Sequence, residues 1–254
     1  MRPILTRVSA LALVSALFAL PASAVTNLIS NGDFETVDNR AGLTVGDSDG
    51  DALNSLAGSS GNASWDVYST LPGGWYTSAG NGIEVQTNLT INGAGSINSL
   101  DAFGGGPGSH YIELDSEADG GVGGVSNSSM SQKVSGLSVG RQYLFSFYYS
   151  PRTSSFSTDD NLISWLIAPP GVGGSVSGPA NGTGTSAGVW TLFETIFTAT
   201  SEDVVITFSA GGNDNELGGF IDNVSLSLVP LPAGALLIVG AFAGAAAFRR
   251  FGRA

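Results

Sequence analysis

Gln142-Tyr-Leu-Phe-Ser-Phe-Tyr-Tyr-Ser150 is the clearest β-strand signal in the sequence. Its aromatic residues recur at every second position, at Tyr143, Phe145, Phe147 and Tyr149. Because successive side chains of a β-strand point to opposite faces, this spacing predicts one strand with four rings on the same face. We expect that face to be buried against a second layer of the protein.

The same alternation recurs further along the chain, at Val204, Ile206 and Phe208 and again at Val224, Leu226 and Leu228. No long amphipathic helix is evident between positions 25 and 228, where short β-forming runs are separated by Gly, Asn, Ser, Asp and Pro. This pattern predicts an all-β fold, an antiparallel β-sandwich (jelly roll), in one domain. The predicted strands are 27–30, 64–68, 82–86, 110–115, 130–135, 142–150, 162–168, 190–199, 203–210 and 220–228, with long loops at 38–63, 87–109 and 169–188.

The first 24 residues have the features of a secretory signal peptide. Arg2 and Arg7 precede an apolar core from Val8 to Leu20, and Ala22-Ser23-Ala24 offers the small residues that signal peptidase requires. We therefore expect an exported protein that begins at Val25 after cleavage. The chain has no cysteine, so an exported domain would lack disulfides and thiolate chemistry.

The last 26 residues predict a transmembrane segment. An uncharged run extends from Leu231 to Phe248, which as a helix would be roughly as long as a bilayer's apolar core is thick. Arg249, Arg250 and Arg253 follow it and would stay on the cytoplasmic side. The residues before the run would then lie outside the inner membrane.

This tail resembles the PEP-CTERM sorting signal in its Val-Pro-Leu-Pro-Ala variant. The resemblance rests on Val229, Pro230, Leu231, Pro232, Ala233 and Gly234, with the apolar run and the arginines behind them. It implies an exopolysaccharide-producing Gram-negative bacterium whose exosortase cleaves near the prolines. The protein would be anchored transiently in the inner membrane and would then reach the cell surface or extracellular matrix. A plain membrane anchor is the alternative.

Charge excludes some partners. Of 9 basic and 21 acidic residues, five basic ones lie in the two terminal segments, so residues 25–228 carry a net charge of −17. Such a surface argues against nucleic acid and anionic lipid as partners.

The domain also resembles carbohydrate-binding-module-like jelly rolls, the galactose-binding-like sandwiches. The opening Asn27-Leu-Ile-Ser-Asn-Gly-Asp-Phe-Glu35 and the closing Gly219-Phe-Ile-Asp-Asn-Val-Ser-Leu226 carry the resemblance. Gly74-Trp75, the stretches 82–86, 110–115 and 129–132, and Phe147-Tyr-Tyr-Ser-Pro-Arg152 continue it in order. The resemblance implies a fold and a glycan-binding ancestry, without a particular ligand.

The sequence contains no clear catalytic motif. His110 is the only histidine and no Gly-x-Ser-x-Gly elbow is present, which disfavours a hydrolytic triad. Glu113 and Asp115 alternate onto one face at a spacing that a glycosidase could use, but their sequence context has no catalytic signature. Asp47, Asp49 and Asp51 lack the glycine and glutamate of an EF-hand, so an acidic turn or a looser calcium site remains. We expect no enzymatic activity, with a glycoside hydrolase as the minor alternative.

Two aromatic residues beside loops are candidates for stacking on sugar rings, Trp65 and Tyr76. Trp75 and Trp190 lie where such folds fill their cores. For any one of these aromatic residues, core packing is the competing explanation.

A structural calcium ion is predicted where the two ends of the domain meet. In folds that resemble this one the first and last strands run close together, and carboxylates equivalent to Glu35 and Asp222 often hold calcium. Asp33 and the nearby backbone carbonyls would complete the coordination. The alternative is that Glu35 and Asp222 are separate, solvated carboxylates.

The sequence thus predicts a surface or matrix protein associated with exopolysaccharide, which binds glycan directly or serves as a purely structural component without sugar binding. It identifies neither the glycan nor the oligomeric state.

Overall fold

The computed structural model describes residues 26–37, 43–46, 65–87, 110–116, 126–152, 161–178, 189–215 and 217–230. At positions 43–46, 65, 66 and 87 it describes the strand but not the side chains. The predicted signal peptide, the acidic Asp47-x-Asp49-x-Asp51 run and the tail from Leu231 onward lie outside these ranges. Within the ranges, no helix is long and apolar enough to span a membrane.

The described part of the chain is built from β-strands. In chain order they are β1 (Leu43–Gly46), β2 (Trp65–Tyr68), β3 (Thr70–Leu71), β4 (Trp75–Ala79), β5 (Ile83–Thr87), β6 (His110–Glu113), β7 (Ser129–Ser135), β8 (Gln142–Ser150), β9 (Leu162–Ala168), β10 (Val172–Val176), β11 (Thr191–Thr198), β12 (Asp203–Gly211) and β13 (Phe220–Leu228). Strands β8, β9 and β13 have the bounds that the sequence predicts.

Two antiparallel sheets form a sandwich, which confirms the all-β prediction. The seven-stranded sheet has the order β1-β2-β5-β6-β13-β8-β11, and the six-stranded sheet has the order β10-β9-β12-β7-β4-β3. Strands β11 and β10 are thus edge strands of the two sheets. Every strand pair in these sheets is antiparallel.

Aromatic rings fill the space between the sheets. Tyr143, Phe145, Phe147 and Tyr149 are all buried, as the alternation of β8 predicts. Phe208 of the opposite sheet has its ring centroid 6.0 Å from that of Phe145 and 5.0 Å from that of Phe147. These contacts form the aromatic centre of the core between β8 and β12, and the core continues along the other strands of both sheets.

The opening segment, residues 26–37, fastens the two sheets together. Asn27 Oδ1 accepts hydrogen bonds from the backbone N–H groups of Ile29 and Leu226, and the Val224 N–H donates to the Gly32 carbonyl at 2.8 Å. On the other sheet, Trp75 Nε1 donates to the carbonyls of Ser30 and Asn31. The predicted first strand at 27–30 is therefore wrong: only Asn27 makes a strand bridge, because the Ile29 and Ser30 N–H groups donate to the side chains of Asn27 and Gln132 and not to strand carbonyls.

Two strands occur where loops are predicted. Strand β1 lies in the predicted loop 38–63, and β10 lies in the predicted loop 169–188. The central residues of β10 are Gly173, Gly174 and Ser175, which have little intrinsic β preference. Pairing along the whole of β9, after a turn closed by the Gly171 N–H to the Ile167 carbonyl, overrides that local preference. The short β3 and β4 are likewise missed from the sequence.

Candidate functional site

The outward face of the seven-stranded sheet carries buried polar side chains together with aromatic ones on β5, β6 and β13. Ile83, Val85, Ile112 and Ile221 belong to the core between the sheets, so their strand neighbours point the other way. Those neighbours are Glu84 and Gln86 on β5, Tyr111 and Glu113 on β6, and Phe220 and Asp222 on β13. All six are buried, yet none belongs to the central core cluster.

Three side chains form the centre of this face, which we call the polar cluster: Glu84, Gln86 and Glu113. Glu84 and Glu113 are directly opposite each other in the β5–β6 ladder. The Gln86 amide nitrogen donates to Glu84 Oε1 at 2.6 Å and also to Glu113 Oε2. One amide group thus separates two carboxylates that would otherwise repel each other on adjacent strands.

A cation and a backbone donor complete the cluster around Glu113. Arg152 Nη1 lies 2.5 Å from Glu113 Oε1, and the Gly218 N–H donates to the same oxygen. The Arg152 backbone N–H donates to Asn161 Oδ1 at 2.8 Å, which holds the arginine at the end of β8. Gly218 is required at its position, because a Cβ there would lie 2.8 Å from Asp115 Cβ. Both oxygens of the Glu113 carboxyl group therefore accept hydrogen bonds from protein donors.

Burial sets the protonation behaviour of the cluster. Desolvation raises the pKa of Glu113 well above its ordinary value, and the nearby Glu84 carboxylate acts in the same direction. Arg152 and the Gly218 N–H oppose this shift without cancelling it. Among the described residues, no group donates to Gln86 Oε1. The cluster therefore retains one buried acceptor.

Aromatic rings border the polar cluster. Tyr111 packs edge-on against Phe220 at a centroid distance of 4.8 Å and against Trp190 at 5.8 Å. Trp190 and Tyr148 are half-buried, so this side of the cluster, next to β8 and β11, is its accessible border. An indole and a phenol beside carboxylate, amide and guanidinium groups offer both stacking and hydrogen bonding to a bound molecule.

Glu113 and Asp115 both lie against Gly218, but they accept hydrogen bonds from different parts of the chain. Asp115 Oδ2 accepts the Leu217 N–H at 2.9 Å, and Asp115 Oδ1 accepts the Ser126 hydroxyl. Asp214 accepts the N–H groups of Ser126 and Asn127, and the Asn127 N–H is the main cause that lowers the pKa of Asp214. These two aspartates join the segments around 126 and 215 rather than pair with Glu113.

The two aromatic residues that the sequence predicts as sugar-stacking candidates lie on different sheets. Trp65 occupies the β2 position opposite Gln86, beside the polar cluster, although its side chain lies outside the description. Tyr76 is 39% exposed on β4 of the other sheet. Trp75 is fully buried, as predicted, whereas Trp190 packs on the outward face and not in the central core.

The residues predicted to bind calcium are Glu35, Asp222 and Asp33, and the structure shows different surroundings for each. Glu35 accepts the His110 N–H at 2.9 Å, and its second oxygen lies 3.2 Å from His110 Nδ1. Asp222 is buried in β13 and accepts the Asn223 N–H, while Asp33 is exposed. In the ranges that the structure describes, no three His, Cys, Asp or Glu side chains are grouped as metal ligands would be. The calcium ion stays a prediction.

Sequence reasoning missed Glu84, Gln86 and Arg152 as members of one site. A signal existed for two of them, since Glu84 and Gln86 alternate with Ile83 and Val85 and must share a face. Such a face is ordinarily assigned to solvent. The pairing of β5 with β6, and the return of the chain at Arg152, depend on sheet order and could not be found from one strand.

Comparisons with known proteins add distant structural likenesses. No family model matches the chain, and no curated protein matches it. Among solved structures it is similar to a CBM4 carbohydrate-binding module, at 18% identity over 79% of this chain and 99% of that chain, with a TM-score of 0.35. It is also similar to a CBM61 module in complex with β-1,4-galactotriose (18% identity, 60% of this chain and 86% of that chain, TM-score 0.36). A CBM35 module from Cellvibrio japonicus gives 17% identity, 62% and 93% coverage and a TM-score of 0.32. Likeness at this level assigns neither a family nor a ligand.

Proposed function

We propose that this protein is an exported, non-enzymatic β-sandwich that binds extracellular polysaccharide through the outward face of its seven-stranded sheet. The observation that carries the proposal is the polar cluster with its aromatic border. Glu84, Gln86 and Glu113 form a hydrogen-bonded row, and Trp190 packs beside them through Tyr111. Sugars present apolar C–H faces and rows of hydroxyl groups, which such a combination of rings and polar groups recognises.

Arg152, Trp190 and Tyr148 are the groups through which a sugar would first reach this face. Each is half-buried, whereas Glu84 and Glu113 are almost completely buried. Tyr111 packs on the Trp190 indole and interacts electrostatically with Arg152, so a pyranose stacked on the indole would lie on the same part of the face as the guanidinium. A hydroxyl that reaches further could donate to Gln86 Oε1, the buried acceptor of the cluster.

Hydrolysis is the second candidate, because Glu84 and Glu113 are paired carboxylates and the raised pKa of Glu113 suits a general acid. Against it, Gln86 occupies the space between the two carboxylates, and both Glu113 oxygens accept hydrogen bonds from the protein. A glycosidase needs a carboxyl group directed at the sugar's glycosidic oxygen. Binding therefore fits the arrangement better than hydrolysis.

The proposed location follows from the two ends of the sequence. The signal peptide at 1–24 would direct export through signal peptidase, and an exosortase would process the Val229–Gly234 motif after transient anchoring in the inner membrane. The product would be retained at the cell surface or in the matrix. Intact mass of the surface-extracted protein tests this: the expected chain lacks both ends, and one that still carries Phe248–Ala254 would be an ordinary anchored protein.

Glycan arrays that span neutral and acidic polysaccharides, including those of the producing cell, test the binding proposal on the purified protein. Trp190→Ala should weaken binding at least ~10-fold, because stacking on a half-buried ring supplies about 1 kcal/mol or more beyond its area. Tyr76→Ala is the matched control, an exposed aromatic residue on the other sheet, and should bind as the wild type does.

Each outcome has a distinct meaning. Loss of binding in Tyr76→Ala with retention in Trp190→Ala would move the site to the six-stranded sheet. No binding to any polysaccharide would favour the purely structural matrix component. Release of reducing ends from a bound polysaccharide, abolished in Glu113→Gln, would establish the hydrolase.

A further inference from the structure

A cavity of about 150 Å³ opens between the edge strands of the two sheets, on the inward face of the seven-stranded sheet, whereas the polar cluster lies on the outward face. Strand β10 forms one side and β11 the other, and β8 and β9 form the base. Its lining consists of Phe145, Phe147, Trp165, Gly174, Ser175, Val176, Phe193, Glu194 and Thr195. This cavity has no part in the proposed polysaccharide site.

Two small residues create the cavity. On β10 the residues paired with Ile163, Trp165 and Ile167 are Val176, Gly174 and Val172, and the middle position has no side chain. On β11 Thr195 lies between Phe193 and Phe197 on the inward face. Large apolar residues at Gly174 and Thr195 would have closed the edge of the sandwich. The sequence instead leaves the core open there.

Aromatic rings form the walls. The Trp165 centroid lies 5.6 Å from that of Phe145 and 6.3 Å from that of Phe147. Phe193 stacks on Phe147 at 5.7 Å. Trp165 and Phe193 are only partly buried, so their rings face the opening. Gly174 lets the indole lie against β10, because a Cβ there would be 3.2 Å from Trp165 Cζ2.

The volume of the cavity and the apolar character of its walls determine which ligands fit. An apolar cavity of about 150 Å³ is large enough for one benzene ring. Such a ring could take edge-on or offset positions against the four aromatic side chains. A pyranose would bring its hydroxyls among these rings, where burial without partners costs at least about 1 kcal/mol each. The walls therefore favour an aromatic ring over a sugar.

The negative charge of the protein and of Glu194 favours one kind of substituent on the bound ring. Glu194 is exposed and belongs to the lining of the cavity. Because it alternates with the inward-facing Phe193 and Thr195 on an edge strand, its carboxylate borders the mouth from the outer side of β11. The whole chain carries a net charge of −12, so an anionic ligand would be repelled and a cationic one attracted. We propose that this cavity is a second binding site, which takes a small monocyclic aromatic amine with its ring against Trp165 and Phe193 and its ammonium group beside Glu194.

Benzylamine, benzyl alcohol and methyl β-glucoside are the probes, titrated into the purified full-length chain and followed by NMR. Benzylamine should bind with a Kd of about 0.1–10 mM, the range open to so small a ligand. Its ring protons should give intermolecular NOEs to the Trp165 indole and the Phe193 ring. Benzyl alcohol should bind more weakly, and methyl β-glucoside should give no NOE to these rings.

Two substitutions test the two halves of the site. Thr195→Leu fills the cavity and should weaken benzylamine binding at least ~10-fold, because the ring loses the apolar area that it buries. Thr198→Leu, the same change at an exposed position of the same strand, should leave binding unchanged. Glu194→Gln should weaken benzylamine about two- to fivefold, the range of an exposed ion pair, and leave benzyl alcohol unaffected.

The wild-type NOEs decide the proposal even if a variant fails to fold. Absence of benzylamine binding up to the highest soluble concentration would overturn it, as would NOEs that place the ring elsewhere. Unchanged binding in folded Thr195→Leu would have the same meaning. Equal affinities for benzylamine and benzyl alcohol would overturn the assignment of the ammonium group to Glu194.

Discussion

The seven-stranded sheet is buried on both faces around β5, β6 and β13, but the two faces are stabilised in different ways. The inward face presents the rings of β8 to Phe208 and Trp165 of the other sheet. The outward face presents Glu84, Gln86 and Glu113, which are held to one another and to Arg152. An apolar face needs only a partner surface of the right shape, whereas each buried polar group needs its own hydrogen-bond partner.

The difference shows where binding chemistry can be placed in a sandwich. Apolar packing tolerates changes of similar volume, so the inward face constrains the sequence only loosely. The outward face joins residues from β5, β6 and the end of β8 in one network, and the loss of one partner leaves the others unsatisfied.

Phe147→Ala should produce the largest loss of stability, about 3–5 kcal/mol, because it opens a cavity among rings that cannot easily move together. Its ring contacts Phe145, Trp165, Phe193 and Phe208, and it is 1% exposed. Reversible urea unfolding measures the change. Ser146→Ala, its half-buried neighbour on the same strand, should change stability by less than about 0.5 kcal/mol. A loss under about 1 kcal/mol for Phe147→Ala would show that the inward face is assigned wrongly.

Glu113→Ala should cost somewhat less, about 2–3 kcal/mol, because it leaves the Arg152 guanidinium with one carboxylate fewer in a partly exposed position. Arg152→Ala should cost a similar amount, since it leaves Glu113 buried between Gln86 and Gly218. The double variant should cost clearly less than the sum, because neither group then remains uncompensated. Additive effects in urea unfolding would mean that the outward face is not one network.

How far the sequence predicts each face follows from what each face requires. The rings of β8 are predictable because period-two spacing and large apolar side chains indicate both the strand and the buried face. Glu84 and Gln86 share a face by the same rule, yet their burial depends on β6 and on Arg152. Glu113 of β6 and Arg152 lie 27 and 66 residues after Gln86 in the sequence. The sequence predicts a loop at Gly174, because two glycines and a serine give β10 no local strand signal.

The pH dependence of stability should separate Glu113 from ordinary carboxylates. Its pKa is raised in the folded state, so between the unfolded-state value near 4.5 and the folded value the folded protein binds more protons than the unfolded chain. The wild type should therefore lose stability relative to Glu113→Gln as pH rises through this window, by up to about 1.4 kcal/mol per pH unit.

Asp214 provides a control of opposite sign. Hydrogen bonds from Asn127 and Ser126 lower its pKa, so its contribution is present above the unfolded-state value and is lost as pH falls. The wild type should thus gain stability relative to Asp214→Asn as pH rises from acid. Urea unfolding of both variants between about pH 3 and 8 measures the two slopes, because this range extends about one to three pH units around the ordinary carboxylate pKa values. Slopes of the same sign would contradict the assigned cause of the Glu113 shift.

The smallest expected effect concerns Asp222, the remaining carboxylate of the outward face, and its predicted calcium partner Glu35. The opening segment is already fastened to β13 by the hydrogen bonds of Asn27 and Gly32, and Glu35 is engaged by His110. A calcium ion would add to these contacts instead of replacing them. At a free calcium concentration ten times its Kd, binding to the folded state alone would stabilise the protein by about 1.4 kcal/mol. We expect a rise in Tm with calcium relative to chelator that disappears in both Glu35→Gln and Asp222→Asn. Equal melting with calcium and with chelator, or a rise that survives both substitutions, would remove calcium from this site and leave hydrogen bonds as the fastening between the two ends of the domain.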